Sequence, residues 1–207
     1  QAVSRGLGDV YKRQNKEMAE GSPHLEVFKK KKLDVLFLTD PIDTFWLSMA
    51  GEFQDRKFVS ITKGDIDLTA FSDDKKEKEK KPPAGMKGLV EKIKEILGEN
   101  VQDVKVSTKL VDSACCLVAP DTGMDVQMER IMKIQNKDFK GMPRILEINP
   151  DHNIIKKLNK IKDTDKDALN DASFLLFDQA KMVEGELPND IAKFNQRMSK
   201  FLGIALS

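Results

Sequence analysis

Histidine is the side chain most suited to acid–base or metal chemistry near neutral pH, and the chain has two, His24 and His152. Neither has a second histidine or a cysteine at ligand spacing, and no motif supplies either with a nucleophile to activate. Both are expected at the surface or as helix caps. Asp40 and Asp43 would suit paired-carboxylate work, but a turn at Asp40-Pro41 and a helix cap at Asp43 explain them more simply. Cys115 and Cys116 are adjacent; neighbours rarely reach disulfide geometry, and a pair supplies too few ligands for zinc. A reducing, cytoplasmic setting fits them best. Gly6 and Gly8 begin a dinucleotide-like spacing, but Tyr11 stands where the third glycine belongs and no strand is expected before it. No phosphate loop, nucleophile elbow or zinc signature occurs. No residue is therefore assigned a catalytic or metal-binding role.

Methionine is more informative. There are nine in 207 residues, and Met124, Met128 and Met132 share one face with Ile131 on an expected helix ending near Gln135. Methionine is flexible and polarizable, which suits surfaces that accept irregular apolar partners. The same face would also serve as ordinary packing against a sheet. Phe45 and Trp46 pose the same pair of readings, a core filler or an exposed aromatic platform. The pattern alone leaves both questions open.

The elements that would position these residues can be read from periodicity. A hydrophobic content of 40% fills a core, 33% charged residues gives a heavily solvated surface, and the net charge is +1. No global field draws in nucleic acid or an anionic membrane, and no apolar run reaches the length of a membrane span. Residues 1–14 match nothing that follows in character and read as a non-native leader or assembly artefact outside the fold. Ser22-Pro23 starts a short helix that buries Leu25, Val27 and Phe28. Residues 34–39 and 57–62 read as strands, the first covered on both faces, with a helix from Thr44 to Gly51 between them. Strand, helix, strand at this spacing gives a small α/β unit with parallel pairing, over residues 15–71. The apolar-free run Asp73 to Lys81 with Pro82-Pro83 marks a charged linker at 72–84.

The remainder, 85–207, reads as α+β. Met86, Leu89, Val90, Ile93, Ile96 and Leu97 form a helical stripe ended by Gly98. Strands are expected at 101–108, 114–118 and 145–148, and Asn149-Pro150-Asp151 starts a helix with Ile154, Ile155, Leu158 and Ile161 inward. The last forty residues form a helical hairpin. Its first helix carries Leu169, Ala172, Leu175, Leu176 and Ala180 at one spacing, with Phe174 and Phe177 outside that stripe. After Gly185 and Leu187-Pro188-Asn189, the second carries Ile191, Phe194, Met198, Phe201 and Leu202. A helix apolar on more than one side needs a second partner, and at a terminal hairpin that partner is expected to be the same hairpin of another copy. The alternative is a single intramolecular core.

Several of these stretches, taken in order, resemble the heat shock protein 90 chaperone family in its bacterial form. They are Ser22-Pro23-His24-Leu25-Glu26, residues 35–43 from Val35 to Asp43, Leu97-Gly98-Glu99, Val101-Gln102-Asp103-Val104, Leu110-Val111-Asp112-Ser113 and residues 146–152 from Leu146 to His152. The resemblance covers about residues 15 to 204. It implies the end of a middle domain followed by a C-terminal dimerisation domain, in which two helices per protomer form a four-helix bundle. Dimer contacts then fall to Leu169, Phe174, Leu175, Phe177, Ile191, Phe194, Met198, Phe201 and Leu202. It implies unfolded client proteins as partners, held by Met124, Met128, Ile131 and Met132 and by Phe45 or Trp46. It implies ATP and magnesium for the full-length protein, with no cofactor and no enzymatic activity in this part. The chain lacks the acidic tail that recruits tetratricopeptide co-chaperones, so none is expected. Two rivals stand beside this reading: a purely structural dimerisation module without client contact, and an enzyme using the Asp40/Asp43 turn.

Overall fold

Ser22 opens the first helical turn as its side chain requires: its hydroxyl accepts from the His24 N–H at 3.3 Å, and Pro23 fills the position where an N–H would go unused. The computed structural model describes residues 2–5, 20–38, 49, 52–53, 56–62, 85–120, 132 and 142–206. They divide into two units, Gln1–Lys80 with Val118–Met142, and Lys81–Leu117 with Pro143–Ser207. One division falls inside the charged stretch at 72–84, while 118–142 group with the first unit instead of staying within 85–207.

In the first unit, β1 (Ala2–Arg5) precedes a 3-10 turn (Pro23–Leu25) that continues into α1 (Glu26–Lys30). The strands β2 (Val35–Leu38), β3 (Glu52–Phe53), β4 (Arg56–Lys57) and β5 (Val59–Ser60) follow. Leu25, Val27, Phe28 and Ile61 form a small core, with Leu33, Val35 and Phe37 packed on it. β3 and β4 pair antiparallel. The main sheet has the order β2-β1-β5, and β1 is parallel to both neighbours.

Three expectations change here. The leader set apart from the fold contributes the middle strand, because β2 and β5 each leave a row of N–H and C=O groups that a strand between them satisfies. The strands read at 34–39 and 57–62 run in the same direction but are not neighbours. The strand expected to be covered on both faces has Leu36 48% exposed, since the helical core lies against Val35 and Phe37.

The second unit is built on α2 (Met86–Leu97), a 3-10 turn (Gly98–Asn100), β6 (Val101–Val106), β7 (Cys115–Val118), β8 (Arg144–Ile148), α3 (Asn153–Ile161), α4 (Lys166–Val183) and α5 (Ile191–Ala205). The sheet order is β6-β8-β7, with β6 and β8 parallel in the register Val104↔Leu146 and Val106↔Ile148. β8 is buried along its whole length, as a middle strand should be. Met86, Leu89, Ile93 and Leu97 of α2 are all but inaccessible. Their burial contributes on the order of 6–12 kcal/mol before conformational entropy is subtracted. They meet Val101 and Val104 of β6, Leu146 and Ile148 of β8, Ile155 and Leu158 of α3, and one face of α4.

The start of α2 is tied to α3 and the turn after it. Gly85 has φ +79°, and the Lys162 ammonium donates to its carbonyl at 2.9 Å; a Cβ at Gly85 would lie 2.7 Å from that nitrogen. Lys92 pairs with Asp163 at 2.5 Å. Ile154, expected inward, is 45% exposed. It is the second residue of α3, and the helix turns its Ile155/Leu158 side to the core.

Candidate dimerisation surface on the terminal hairpin

The boundaries of the hairpin are set by its own side chains. Asp165 caps α4 by accepting from the Ala168 N–H at 2.9 Å, and Asp190 caps α5 by accepting from the Lys193 N–H at 2.9 Å. α4 is closed off by Gly185 beyond its last residue, φ +78°, with the Gly185 N–H on the Met182 carbonyl and the Glu186 N–H on the Lys181 carbonyl, both at 2.9 Å. This is the paired closure that a left-handed residue after a helix permits. In the turn, the Lys181 ammonium donates to Asn189 Oδ1 at 2.6 Å, and Asn189 Nδ2 donates to Asn100 Oδ1 at 3.1 Å.

The two helices differ sharply in burial. α4 sends Leu169, Ala172, Leu176, Phe177 and Ala180 into the core of its own unit. Leu169 and Phe177, expected at a dimer contact, are therefore already covered within one subunit. Phe174 and Leu175 are half-buried. α5 has no buried residue at all. Phe194 and Phe201 are half-buried, while Ile191 is 52%, Met198 39% and Leu202 54% exposed.

Charge holds α5 on α4. Asp171 accepts from the Lys200 ammonium at 2.6 Å and from Arg197 Nε at 3.4 Å. The hydrogen bond from Lys200 holds the Asp171 carboxyl below the usual carboxylate range, against the opposing effect of partial burial. The Arg197 guanidinium also sits 4.3 Å from the centre of the Phe174 ring, close enough for a cation–π contact. Sequence reasoning missed this cluster. Arg197, Lys200 and Phe201 lie one turn apart on one side of α5, but nothing local identifies Asp171 as their partner. It likewise missed the Arg144–Glu186 ion pair at 2.7 Å, which fastens β8 to the hairpin turn.

The remaining candidate residues are distributed as follows. Phe45, Trp46, Met124, Met128, Ile131, Asp40 and Asp43 lie outside the described residues, and Met132 is helical and half-buried. His24 is 3% exposed, so it is neither at the surface nor a cap; Ser22 is the cap, and His24 sits behind it. His152 does cap α3, its Nδ1 accepting from the Ile154 N–H at 3.2 Å. Cys115 and Cys116 are free and buried. Burial pushes the Cys115 thiol up to about 12 and raises Cys116 well above its ordinary value, the Glu147 carboxylate adding to the latter. Among the described residues no helix is long and apolar enough to cross a membrane.

Residues 11–207 match the family model described as Hsp90 protein. Three curated relatives, each named Chaperone protein HtpG, come from Burkholderia ambifaria, Burkholderia cenocepacia and Burkholderia orbicola. Each is 40% identical over 186 residues, which is 90% of this chain and 29% of the relative. The chain thus spans under a third of the length of the curated relatives it matches. With a family match along nearly all of its sequence and these relatives beside it, the chain belongs to the Hsp90 protein family.

Proposed function

We propose that this chain is the dimerising and client-binding part of a molecular chaperone, acting in the cytoplasm. One observation carries the dimer. α5 is a 15-residue amphipathic helix none of whose side chains is buried, and Ile191, Met198 and Leu202 stand open on it. Two hairpins related by a twofold axis would place α4 and α5 of each copy in a four-helix bundle. Covering the roughly half of these three side chains still exposed, in both copies, yields on the order of 4–9 kcal/mol. That is comparable to the cost of association, so the half-buried Phe174, Leu175, Phe194 and Phe201 decide whether the dimer is tight. Sedimentation equilibrium tests this. The chain should be dimeric at micromolar concentration, and a Met198→Glu/Leu202→Glu variant, altered only at exposed positions, should dissociate at least about 100-fold more readily. A monomeric parent chain, or a variant that dimerises unchanged, overturns it.

Client binding falls, by resemblance, to Met124, Met128, Ile131 and Met132, with Phe45 or Trp46. Dimerisation would set two such faces together and raise avidity for an extended unfolded chain. Suppression of aggregation of an unfolded protein, lost when Met128 and Met132 become glutamate, supports this. Full protection of these methionines from oxidation favours the purely structural module. Replacing Asp40 and Asp43 by asparagine should leave aggregation suppression intact; loss of a small-molecule turnover would favour the enzyme reading. ATP and magnesium are implied for the longer protein. Among the described residues no group of three or more His, Cys, Asp or Glu is placed to hold a metal ion.

A further inference from the structure

The sheet of the second unit has two edge strands, and they are unlike. β7 is buried along its whole length, whereas Gln102 and Lys105 of β6 are exposed and Asp103 and Val106 half-exposed. β6 pairs with β8 on one side, and among the described residues no strand lies along its other. The Ser107 N–H turns inward, onto the Ile148 carbonyl at 2.8 Å. By strand alternation Val104 and Val106 therefore turn their N–H and C=O groups to the open side. There the Val104 N–H is taken by the carboxylate of the residue before it, Asp103 Oδ1 at 2.9 Å, and the same oxygen accepts from the Lys94 ammonium at 2.9 Å. A charged side chain on an edge strand holds off casual pairing. It does not remove the row of open backbone groups.

We propose that the open edge of β6 is a self-association surface whose occupant is β6 of a second copy, paired antiparallel about Val104. The two three-stranded sheets then join into one of six strands. The charges of β6 select this occupant. Strands related by a twofold axis run antiparallel, and outward groups must meet outward groups. With Val104 opposite Val104 of the second copy, Asp103 stands across from Lys105 on both sides of the axis. A slip in one direction sets Lys105 against Lys105, and a slip in the other sets Asp103 against Asp103. Unlike charges directly across a strand pair stabilise it and like charges oppose it, so one register is favoured over both neighbours. Pairing trades bonds. The Val104 N–H passes from Asp103 to the Val104 carbonyl of the second copy, and Asp103 exchanges Lys94 for Lys105 of that copy. The Lys94–Asp103 pair is partly exposed and cheap to give up. No residue of the terminal hairpin takes part, so the surface stands apart from the dimer proposed there.

The test uses the whole chain with Met198→Glu/Leu202→Glu, which disables the hairpin surface, followed by sedimentation velocity up to about 1 mM. This protein should still self-associate reversibly, with amide exchange at Val104 and Val106 slowing as concentration rises. Adding Asp103→Lys or Lys105→Asp sets like charges across the strands and should weaken association at least about tenfold. Adding both restores unlike charges and should return it to within about threefold of the starting protein. A starting protein that stays monomeric throughout overturns the proposal. So does association of equal strength in all four proteins, which would place the contact elsewhere, the hairpin included. Losses that accumulate in the double swap instead of cancelling overturn it as well. If Asp103→Lys unfolds the second unit, Lys105→Asp decides alone, since it leaves the Lys94–Asp103 pair in place; undiminished association in it excludes this edge.

Discussion

The guanidinium of Arg197 lies 4.3 Å from the ring centre of Phe174, and its Nε reaches Asp171 at 3.4 Å. One side chain of α5 thus grips two residues of α4 that are one helical turn apart, an acid and an aromatic ring. Because α5 buries no residue of its own, this grip and the Lys200–Asp171 pair do much to fix its angle on α4. The angle in turn decides which apolar residues remain outward. Helix placement and the dimer surface are therefore set by the same few charged groups.

Arg197→Ala should destabilise the second unit by about 1–2 kcal/mol, combining a partly shielded cation–π contact with a partly exposed ion pair. Arg197→Lys should recover only part of this, since an ammonium does not stack on a ring as a planar guanidinium does. Thermal unfolding checks it, at roughly 4–8 °C per kcal/mol for a unit of this size. Unchanged melting in Arg197→Ala would show that α5 is held by its apolar contacts alone.

Acid should loosen the hairpin in a defined window. The Asp171 carboxyl is held low by Lys200, so its contribution is present above the unfolded-chain value near 4 and is lost as pH falls through the lower folded value. Asp103, held low chiefly by its bond from Lys94, acts in the same direction. Asp178 acts oppositely: burial raises it, against Lys181 and Arg197, so its contribution is present at acid pH and is lost as pH rises through its raised value. Unfolding free energies measured from pH 2 to 7 should show a shallower acid loss for Asp171→Asn. Asp178→Asn should gain stability relative to the parent near pH 7 more than near pH 3. Parallel curves for all three proteins would contradict both assignments.

Much of the second unit was legible because its signals are local. The 3.6-residue stripe of Met86, Leu89, Ile93 and Leu97 marked α2, and the spacing around Gly185 and Pro188 marked the hairpin, though not its Asp165 and Asp190 caps. What else escaped was mostly non-local. No residue near Ala2 signals that it lies between Val35 and Val59, and strand order is a matter of distant pairing. Nothing local to His24 announces that it is 3% exposed, and the Asp171–Arg197 contact spans 26 residues. Ile154 was misassigned for a different reason: at a helix start, one residue of apolar drift changes the face without breaking the periodicity.

Both thiols should resist alkylation while the protein is folded. With Cys115 pushed up to about 12 by burial, its thiolate fraction at pH 8 falls by about a thousandfold or more relative to an ordinary cysteine. Cys116 is raised for the same reason, with Glu147 adding to it. Iodoacetamide at pH 8 should leave both unmodified over an hour in buffer and modify both within minutes in guanidinium chloride, as read by intact mass. Stoichiometric labelling in buffer would mean that the β7 edge opens readily.

Asn149, 2% exposed at the end of β8, should be among the most sensitive polar positions. Its Nδ2 donates to the Val111 carbonyl at 3.1 Å and the Ser113 carbonyl at 3.0 Å, while its Oδ1 accepts from the Asp151 N–H at 3.0 Å. It thereby pins the loop before β7 to the turn that starts α3. Asn149→Ala removes three hydrogen bonds made by one buried side chain, a loss of about 2–4 kcal/mol. Asn149→Asp keeps the acceptor but turns a carboxylate toward two carbonyls, so at pH 7 it should cost more than alanine. A carboxyl in that setting has its pKa raised, so the aspartate variant should recover as the pH falls and it regains a proton to donate. Urea unfolding of both variants at pH 4 and pH 7 separates the effects. A loss below about 1 kcal/mol for Asn149→Ala would mean the loop is held by its backbone, through the Asn149 N–H on the Ala114 carbonyl at 2.8 Å.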